Sequence, residues 1–437
     1  MQLLEHIRNN NGIQMSTIHK YNRAHVRPFL ILSFALLVLV MFLRINMRYA
    51  IQVAIVAGSS IMWLPTIVKS NYLLTRQEHN MQTATLIFLL IVSVYFFSGY
   101  SKIDIVWYLR TIWWLLSGVL SIFILKGCSP KEKKIYFYYL IAILFVFILS
   151  ISTQGRALIA EGSQGDASSL GQTWISSMLT LLTGFSFIVV LNVKSLVPRL
   201  IGLFFILITL YVNLFVLQRA TNFILTIFEI IAILMMSFKN RKVVVVGVFV
   251  VIVTFFLMFL TDLYIDILQW VADVVPSERL SVRIQSILFA MQYQSIDEGG
   301  GTMAARNDLM AISWNTFKSS FIHIFIGAGD YKHGNTVIGN HSYIIDSLAS
   351  YGIIGGMLLY QIFKNQYYIL VSGIDRVKNH SFYLQVTIVF IVYLLRNLTG
   401  KMTFAEVNVI ILIFFPLLIE YIQNHNDKYK ISKNRVH

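Results

Sequence analysis

Long continuous runs of apolar residues follow one another along most of the chain, and residues 243–260 form one of them. A helix needs roughly 20 apolar residues to cross a bilayer core, and backbone polar groups in lipid must be satisfied within a helix or a closed barrel. Barrel strands would alternate apolar and polar residues in short pieces. The pattern therefore predicts an all-α fold, a polytopic membrane helical bundle of about 12 spans. The predicted spans are residues 28–43, 49–68, 83–100, 105–125, 135–152, 174–193, 200–217, 223–238, 243–260, 344–363, 382–398 and 407–422.

The longest interval between predicted spans separates the ninth from the tenth, at residues 261–343. Loops of this length are usually functional or disordered, and helix-spaced aliphatic residues such as Leu280, Ile284 and Ile287 argue against disorder here. This spacing predicts amphipathic helices on the membrane surface, and a further helix is predicted at 306–317. We expect residues 1–437 to form a single transmembrane domain with one long helical loop.

Lysine and arginine are concentrated in the two tails and in the loops after the fourth and eighth predicted spans. Short cytoplasmic loops carry an excess of these residues. We therefore expect both termini in the cytoplasm and the 261–343 loop on the extracytoplasmic side. The opposite short loops are poorer in positive charge, with Arg44, Arg48, Lys102, Arg156, Arg219, Arg396 and Lys401.

Composition agrees with lipid as the main solvent. Charged residues make up 13% of the chain, about half of the usual share in a soluble domain. The net charge of +15 would suggest nucleic acid in a soluble protein. Its placement in alternate loops explains it here, so we expect no nucleic-acid partner. The single cysteine, Cys128, excludes an internal disulfide and a multi-cysteine metal site.

Four arginines fall near the predicted outer face, and arginine at membrane depth needs a reason. The guanidinium group matches phosphate oxygens in a bidentate way, so several of them around one cavity would suit a diphosphate. We favour this interpretation for Arg219 and Arg306. For Arg110 and Arg156, snorkelling to the interface is the stronger alternative.

His341 immediately precedes the tenth predicted span, beneath the long loop. A neutral imidazole can accept a proton from a hydroxyl near neutral pH, which makes His341 a candidate general base. The alternative is a histidine that only anchors the loop at the interface. Asp330 and His333 are close in sequence, but their spacing fits no metal-binding motif, and we expect no metal.

The stretch 327–356, GAGDYKHGNTVIGNHSYIIDSLASYGIIGG, resembles the signature of the O-antigen polymerase and O-antigen ligase superfamily. The resemblance rests on the Gly327-x-Gly329 turn, on His341 with a polar neighbour and Tyr343, and on the Tyr-Gly-Ile-Ile-Gly run. Upstream, Arg306 followed by a tryptophan and Arg219 followed by a small residue resemble further family motifs. Gln218 stands where the family usually has serine, and Ser342 where it usually has asparagine.

The resemblance implies a C-type glycosyltransferase fold in the bacterial inner (plasma) membrane. It implies sugar transfer from an undecaprenyl-diphosphate carrier, without a cofactor, metal or nucleotide sugar. Arg219 and Arg306, with Arg156, would bind the substrate diphosphate, and His341 would be catalytic. Tyr343, Asp330, Gly327 and Gly329 would support the site. The expected partners are the undecaprenyl-diphosphate-linked oligosaccharide, membrane lipid, a chain-length regulator and a flippase.

The motifs leave three functions open. A polysaccharide polymerase would extend chains of O-antigen, capsular polysaccharide or exopolysaccharide. An O-antigen ligase would transfer the finished chain to the lipid A core. A lipid-linked oligosaccharide flippase or other transporter is the alternative from another class, although the sequence has no two similar halves of the kind that transporters often show.

Overall fold

The structure is a computed structural model that describes residues 27–43, 49–70, 74–100, 105–161, 166–216, 220–238, 269–270, 272–274, 281, 285, 302–329, 338, 342–399 and 405–435. Within these ranges the regular structure is helical and includes no strand. The helices are α1 Pro28–Leu43, α2 Tyr49–Ser70, α3 Arg76–Phe97, α4 Ile105–Gly127, α5 Pro130–Glu161, α6 Asp166–Asn192, α7 Leu196–Tyr211, α8 Ala220–Ser237, α9 Thr302–Lys318, α10 Phe321–Ile326, α11 Tyr343–Val371, α12 His380–Thr399, α13 Ala405–Val409 and α14 Phe415–Arg435.

Five helices of the described part are long and apolar enough to cross a membrane: Arg76–Phe97, Pro130–Ile151, Tyr343–Val371, His380–Leu398 and Ala405–Asn426. Shorter apolar helices lie at six further predicted spans. The prediction of a helical membrane protein is thus confirmed, while the count of 12 spans stays a prediction. The ninth predicted span lies outside the described residues.

The innermost part of the bundle is the segment that joins α13 to α14. A π-helical turn, Ile410–Phe414, connects the two helices, and all ten residues of 405–414 are buried. Pro416 explains the local widening, because proline has no N–H with which to continue the α-helical hydrogen-bond ladder. The twelfth predicted span therefore lies in the core of the bundle and is the most buried of the five long helices.

Charged contacts define one end of the bundle, which we call end A. Arg27, just before α1, pairs with Glu132 at the start of α5, with a nitrogen-to-oxygen distance of 2.9 Å. Lys126 at the end of α4 pairs with Glu78 at the start of α3 at 3.2 Å. Further contacts at this end join α14 to the ends of α6 and α11, through Asn426 with Asn192 and Gln423 with Gly373.

End B is the opposite end, where α3 finishes and α10 lies. The Tyr95 hydroxyl, near the end of α3, donates a hydrogen bond of 2.6 Å to the carbonyl of Ile326. By contrast, Ser237 at the end of α8 is at end A, because Gln385 donates to its hydroxyl and also accepts from Asn192. The chain therefore leaves α8 at end A, whereas the C-terminal end of α9 leads into α10 at end B.

Several observed helices extend beyond the predicted spans, such as α5 at Pro130–Glu161 and α11 at Tyr343–Val371, and two further expectations change in detail. The helix predicted at 306–317 is α9, which starts earlier, at Thr302. Arg396, which the charge pattern assigns to an outward loop, lies within α12 and is only 4% exposed. The sequence LLRNLT continues the helical pattern through this arginine, so the helix ends after it at Thr399. The predicted amphipathic helices between 263 and 291 fall almost entirely outside the described residues.

Candidate functional site

The Gly-x-Gly turn that follows α10 is hydrogen-bonded to α11 at Ala349 and Ser350, within the motif region 327–356. Gly327 and Gly329 have positive φ values of 78° and 67°, which glycine adopts without steric cost. The amides of Ala328 and Gly329 donate to the carbonyls of Ala349 and Ser350, at 2.8 and 3.1 Å. The turn is thus hydrogen-bonded to a transmembrane helix, although residues 330–337 and 339–341, which connect the two, are outside the described part.

A break in α11 makes those carbonyls available. Gly352 has φ 63° and ψ −164°, which is not helical and divides α11 into two segments. Carbonyls in the last turn before a helix end have no intrahelical partner, and here the turn amides supply one. The fit is close on both sides. A Cβ added to Gly352 would lie 2.3 Å from the backbone of Phe325, and one added to Gly327 would lie 2.2 Å from that of Ser350.

Two tyrosines from the end of α3 hold the same turn. Tyr95 donates to the Ile326 carbonyl, and the Tyr100 hydroxyl donates to the Gly327 carbonyl at 2.9 Å. The ring of Tyr100 also covers Gly329, where an added Cβ would lie 2.2 Å from a ring carbon. All three glycine positions at this junction are therefore filled by a neighbour rather than by solvent.

A buried carboxylate fixes the start of α11, directly after His341. Asp346 accepts a hydrogen bond from the Ser342 amide at 3.1 Å and one from the Ser313 hydroxyl of α9 at 2.6 Å. The Ser342 hydroxyl caps the helix by accepting from the Ile345 amide. Ser313, Ser342 and Asp346 are at most 3% exposed. Asp346 thus ties α9 to the residue that follows the candidate base.

Several predicted catalytic, phosphate-binding and supporting residues are placed by their backbone alone or lie outside the described part. His341, Arg219 and Asp330 are outside it, and Arg219 immediately precedes α8. Arg306 belongs to α9 and is seven residues, two helical turns, from Ser313. Position 306 is therefore on the same face of α9 as Ser313 and about 10 Å away along the axis.

The remaining predicted residues are spread along end B. Arg156 belongs to α5, five residues beyond the candidate span that ends at Ile151. Tyr343 opens α11, and its ring centroid is 5.8 Å from that of Trp114. The structure brings together the turn, the start of α11 and α9, whereas the side chains of all four arginines lie outside its described part.

A polar cluster inside the bundle was not predicted from the sequence. The Asn408 amide donates to the Trp114 carbonyl at 2.7 Å and to the Ser117 hydroxyl at 3.0 Å, and its oxygen accepts from Gln366 at 2.9 Å. These contacts join α4, α11 and α13 at membrane depth. Single polar residues inside apolar runs were the available signal, because such residues usually face the interior of the bundle and a partner.

Neutral hydroxyls, amides and one buried carboxylate make up the described part of the site. No three of its His, Cys, Asp or Glu side chains are arranged as metal ligands, and His333 and Asp330 fall outside the ranges to which this applies. The hydrogen bond between Ser313 and Asp346 joins one face of α9 to the start of α11. Neither a family model nor a curated protein matches this sequence.

Proposed function

We propose that the chain is a membrane glycosyltransferase that polymerises undecaprenyl-diphosphate-linked oligosaccharide repeat units at the extracytoplasmic face of the bacterial inner membrane. The observation that carries the proposal is the junction at end B, where the Gly327–Gly329 turn is hydrogen-bonded to α11 beside its break at Gly352. Hydrogen bonds from the turn and from α9 hold both ends of the first segment of α11, and His341 is adjacent to that segment in sequence. Holding the reacting groups in the correct geometry supplies much of the barrier reduction in group transfer, and these hydrogen bonds would fix the segment that follows His341.

The proposed reaction forms one glycosidic bond and breaks one sugar–phosphate bond. An acceptor hydroxyl attacks the anomeric carbon of the donor sugar while His341 takes the hydroxyl proton. The lipid diphosphate leaves with the bonding electron pair. Arg219 and Arg306, with Arg156, stabilise the negative charge that develops on it. Positions 306 and 313 share a face of α9, and Ser313 contacts the start of α11, which supports a role for Arg306 on this side of α9.

We also propose that the termini and end A face the cytoplasm and that the chain has 12 spans. Lys126 and Lys133, from a segment that the charge pattern assigns to the cytoplasm, both form ion pairs at end A. The chain leaves α8 at end A, and the C-terminal end of α9 leads into α10 at end B, which supports one additional span between α8 and α9. End B, with the junction, would then face outward.

The test uses His341→Gln, Arg219→Ala and Arg306→Ala, each expressed in cells that lack the native gene. We expect single repeat units on the lipid carrier and little long polymer, with normal amounts of protein in the membrane. Arg306→Lys should recover only part of the polymer, because lysine lacks the bidentate fork. Full-length polymer from His341→Gln would remove the general base from the proposal. Polymer that forms normally but is not attached to lipid A core would indicate the ligase.

A transporter is the second candidate, and the break at Gly352 favours it, because discontinuous helices form binding sites in many transporters. The two candidates differ in the membrane face at which the lipid-linked repeat unit accumulates when the protein is lost. Loss of a flippase leaves the lipid-linked repeat unit at the cytoplasmic face, whereas loss of a polymerase leaves it at the outer face. Accessibility of the accumulated unit to an added glycosidase, in intact and opened cells, distinguishes the two.

A further inference from the structure

A half-open apolar groove runs between α11 and α12, on the side of α11 away from the contacts of the glycine turn. Its volume is about 920 Å³, within the usual range for ligand pockets of roughly 300–1,000 Å³. Leucine, isoleucine, methionine and aromatic side chains form most of its lining. The groove extends from Ile344 and Leu398 near end B towards Lys364, Tyr367 and Thr387 near end A.

The polar lining residues of the groove gather at its end A side. Lys364 is seven residues before the end of α11, about 10 Å along the helix axis. Its ammonium group lies 5.7 Å from the ring centroid of Tyr360, which also lines the groove. The Tyr367 hydroxyl bonds to those of Tyr383 and Thr387, at 2.6 and 3.0 Å.

A second cation stands at this mouth of the groove. The guanidinium carbon of Arg376 lies 5.1 Å from the ring centroid of Tyr383, whose hydroxyl is bonded to Tyr367. In the described part of the chain, no carboxylate forms an ion pair with Lys364 or Arg376. The neighbouring Lys378, by contrast, pairs with Asp375 at 3.6 Å. Among the described residues, two cations without an ion-pair partner thus lie near the polar end of an otherwise apolar groove: Lys364 in its lining and Arg376 beside Tyr383.

We infer that this groove binds an anionic phospholipid of the leaflet at end A. Its phosphate would sit between Lys364 and Arg376, and one acyl chain would lie along the apolar wall towards Leu398. Charge complementarity selects the occupant: the cations are at end A, whereas the mouth near Ile344 and Leu398 is lined by aliphatic side chains. This lipid site is distinct from the junction at end B and does not rest on the proposed glycosyltransferase activity.

A titration of the purified full chain in detergent with phosphatidylglycerol, followed by native mass spectrometry, tests the site. Wild-type protein should bind phosphatidylglycerol more tightly than phosphatidylcholine. Lys364→Gln and Arg376→Gln should each weaken phosphatidylglycerol binding by about fivefold, the effect of roughly one cation near an anionic headgroup. Lys378→Gln, the same charge change on the same loop, should leave the affinity unchanged.

A second pair of variants tests the apolar wall. Ile391→Trp places a large ring at an exposed groove position, and Leu203→Trp does the same on the lipid-facing surface of α7. Only Ile391→Trp should reduce lipid binding. Equal affinities for wild type and Lys364→Gln would show that Lys364 only snorkels and would overturn the proposal. Displacement of phosphatidylglycerol by undecaprenyl phosphate, or dissociation of a dimer by Ile391→Trp, would overturn it too by assigning the groove to another occupant.

Discussion

Both ends of the bundle cap their helices with hydroxyl and carboxylate side chains, but the capping carboxylates have different partners at the two ends. At end A, Thr75 with Glu78 and Ser129 with Glu132 form capping boxes, in which the hydroxyl and the glutamate satisfy each other's backbone amides. Each of these glutamates also pairs with a cation from another segment of the chain. At end B, Ser342 and Asp346 cap α11 in a similar way, but the aspartate is joined to its neighbour helix by the hydroxyl of Ser313.

From this difference we assign end A to the stability of the fold and end B to the proposed chemistry. Two short ion pairs at end A, Arg27 with Glu132 and Lys126 with Glu78, fix where α1, α3, α4 and α5 meet. End B relies on backbone fit at its glycines and on neutral hydroxyl contacts. We therefore expect substitutions at end A to alter mainly the free energy of unfolding. Substitutions at end B should alter mainly product formation.

The largest effect is expected at the glycine junction of end B. In Gly352→Ala the added methyl group would overlap the backbone of Phe325, and φ 63° with ψ −164°, a conformation almost confined to glycine, would cost a further ~1–3 kcal/mol. The turn and the break in α11 would separate, so polymer should fall at least about tenfold by the loss of positioning. Gly58→Ala is the matched control, because nothing lies within 4 Å of a Cβ there.

Polymer is read from gels of extracted polysaccharide, normalised to tagged protein in the membrane. Gly327→Ala should behave like Gly352→Ala, since it overlaps the other side of the same contact. Normal polymer from both variants would mean that the junction has no role in product formation.

The next largest effect is expected at end A. The Glu132 carboxylate receives bonds from the side chain and amide of Arg27 and from the Ser129 amide. Glu132→Gln loses the charge of a fully buried group, and the unfolding free energy should fall by about 1–3 kcal/mol. Thermal unfolding in detergent measures this, and polymer formed per folded molecule should not change.

Glu420→Gln is the control for that measurement. Its side chain is 52% exposed and lies 3.7 Å from Lys133, a surface pair that contributes under about 1 kcal/mol. Equal melting temperatures for the two variants would contradict the structural role of the buried pair. A loss of polymer per folded molecule in Glu132→Gln would contradict the assignment of end A to stability alone.

A smaller effect is expected from Ser313→Ala at end B. The variant removes one hydrogen bond to Asp346, worth about 1 kcal/mol, and loosens α9 against the start of α11. We expect polymer to fall several-fold with little change in melting temperature, and Ser313→Thr, which keeps the hydroxyl, to recover activity. Ser372→Ala, which removes a similar hydroxyl contact at end A, serves as the reference. A drop in melting temperature without loss of polymer would assign Ser313 to stability alone.

Apolar runs predicted where helices lie, because length and hydropathy dominate that choice in lipid. Predicted and observed bounds coincide for α1, and α4 differs only at its end. The capping boxes at Thr75 and Ser129 follow the pattern of a hydroxyl residue with glutamate three positions later, which the sequence alone shows. The break at Gly352 was beyond local patterns, since YGIIGG reads as continuous helix and the contact with Phe325 comes from a distant segment.

The smallest effect concerns Cys128, and it allows the two ends to be assigned to their sides of the membrane. Burial, aided by Glu132, raises the pKa of the Cys128 thiol to about 12. The thiolate is the reactive form, so at neutral pH Cys128 should present roughly three orders of magnitude less thiolate than an ordinary cysteine of pKa near 8.5. Wild-type protein should therefore react slowly with maleimide, and labelling should rise only well above pH 9.

Against this low background, single introduced cysteines report their own side. Val377→Cys is at end A, where the native side chain is 91% exposed, and Asn315→Cys is on the exposed surface of α9 at end B. A membrane-impermeant maleimide added to intact cells should label Asn315→Cys and not Val377→Cys, and opened cells should label both. The reverse result would put end A outside. It would also place the junction, and with it the proposed glycosyl-transfer site, at the cytoplasmic face. An extracytoplasmic polymerase would have no substrate there.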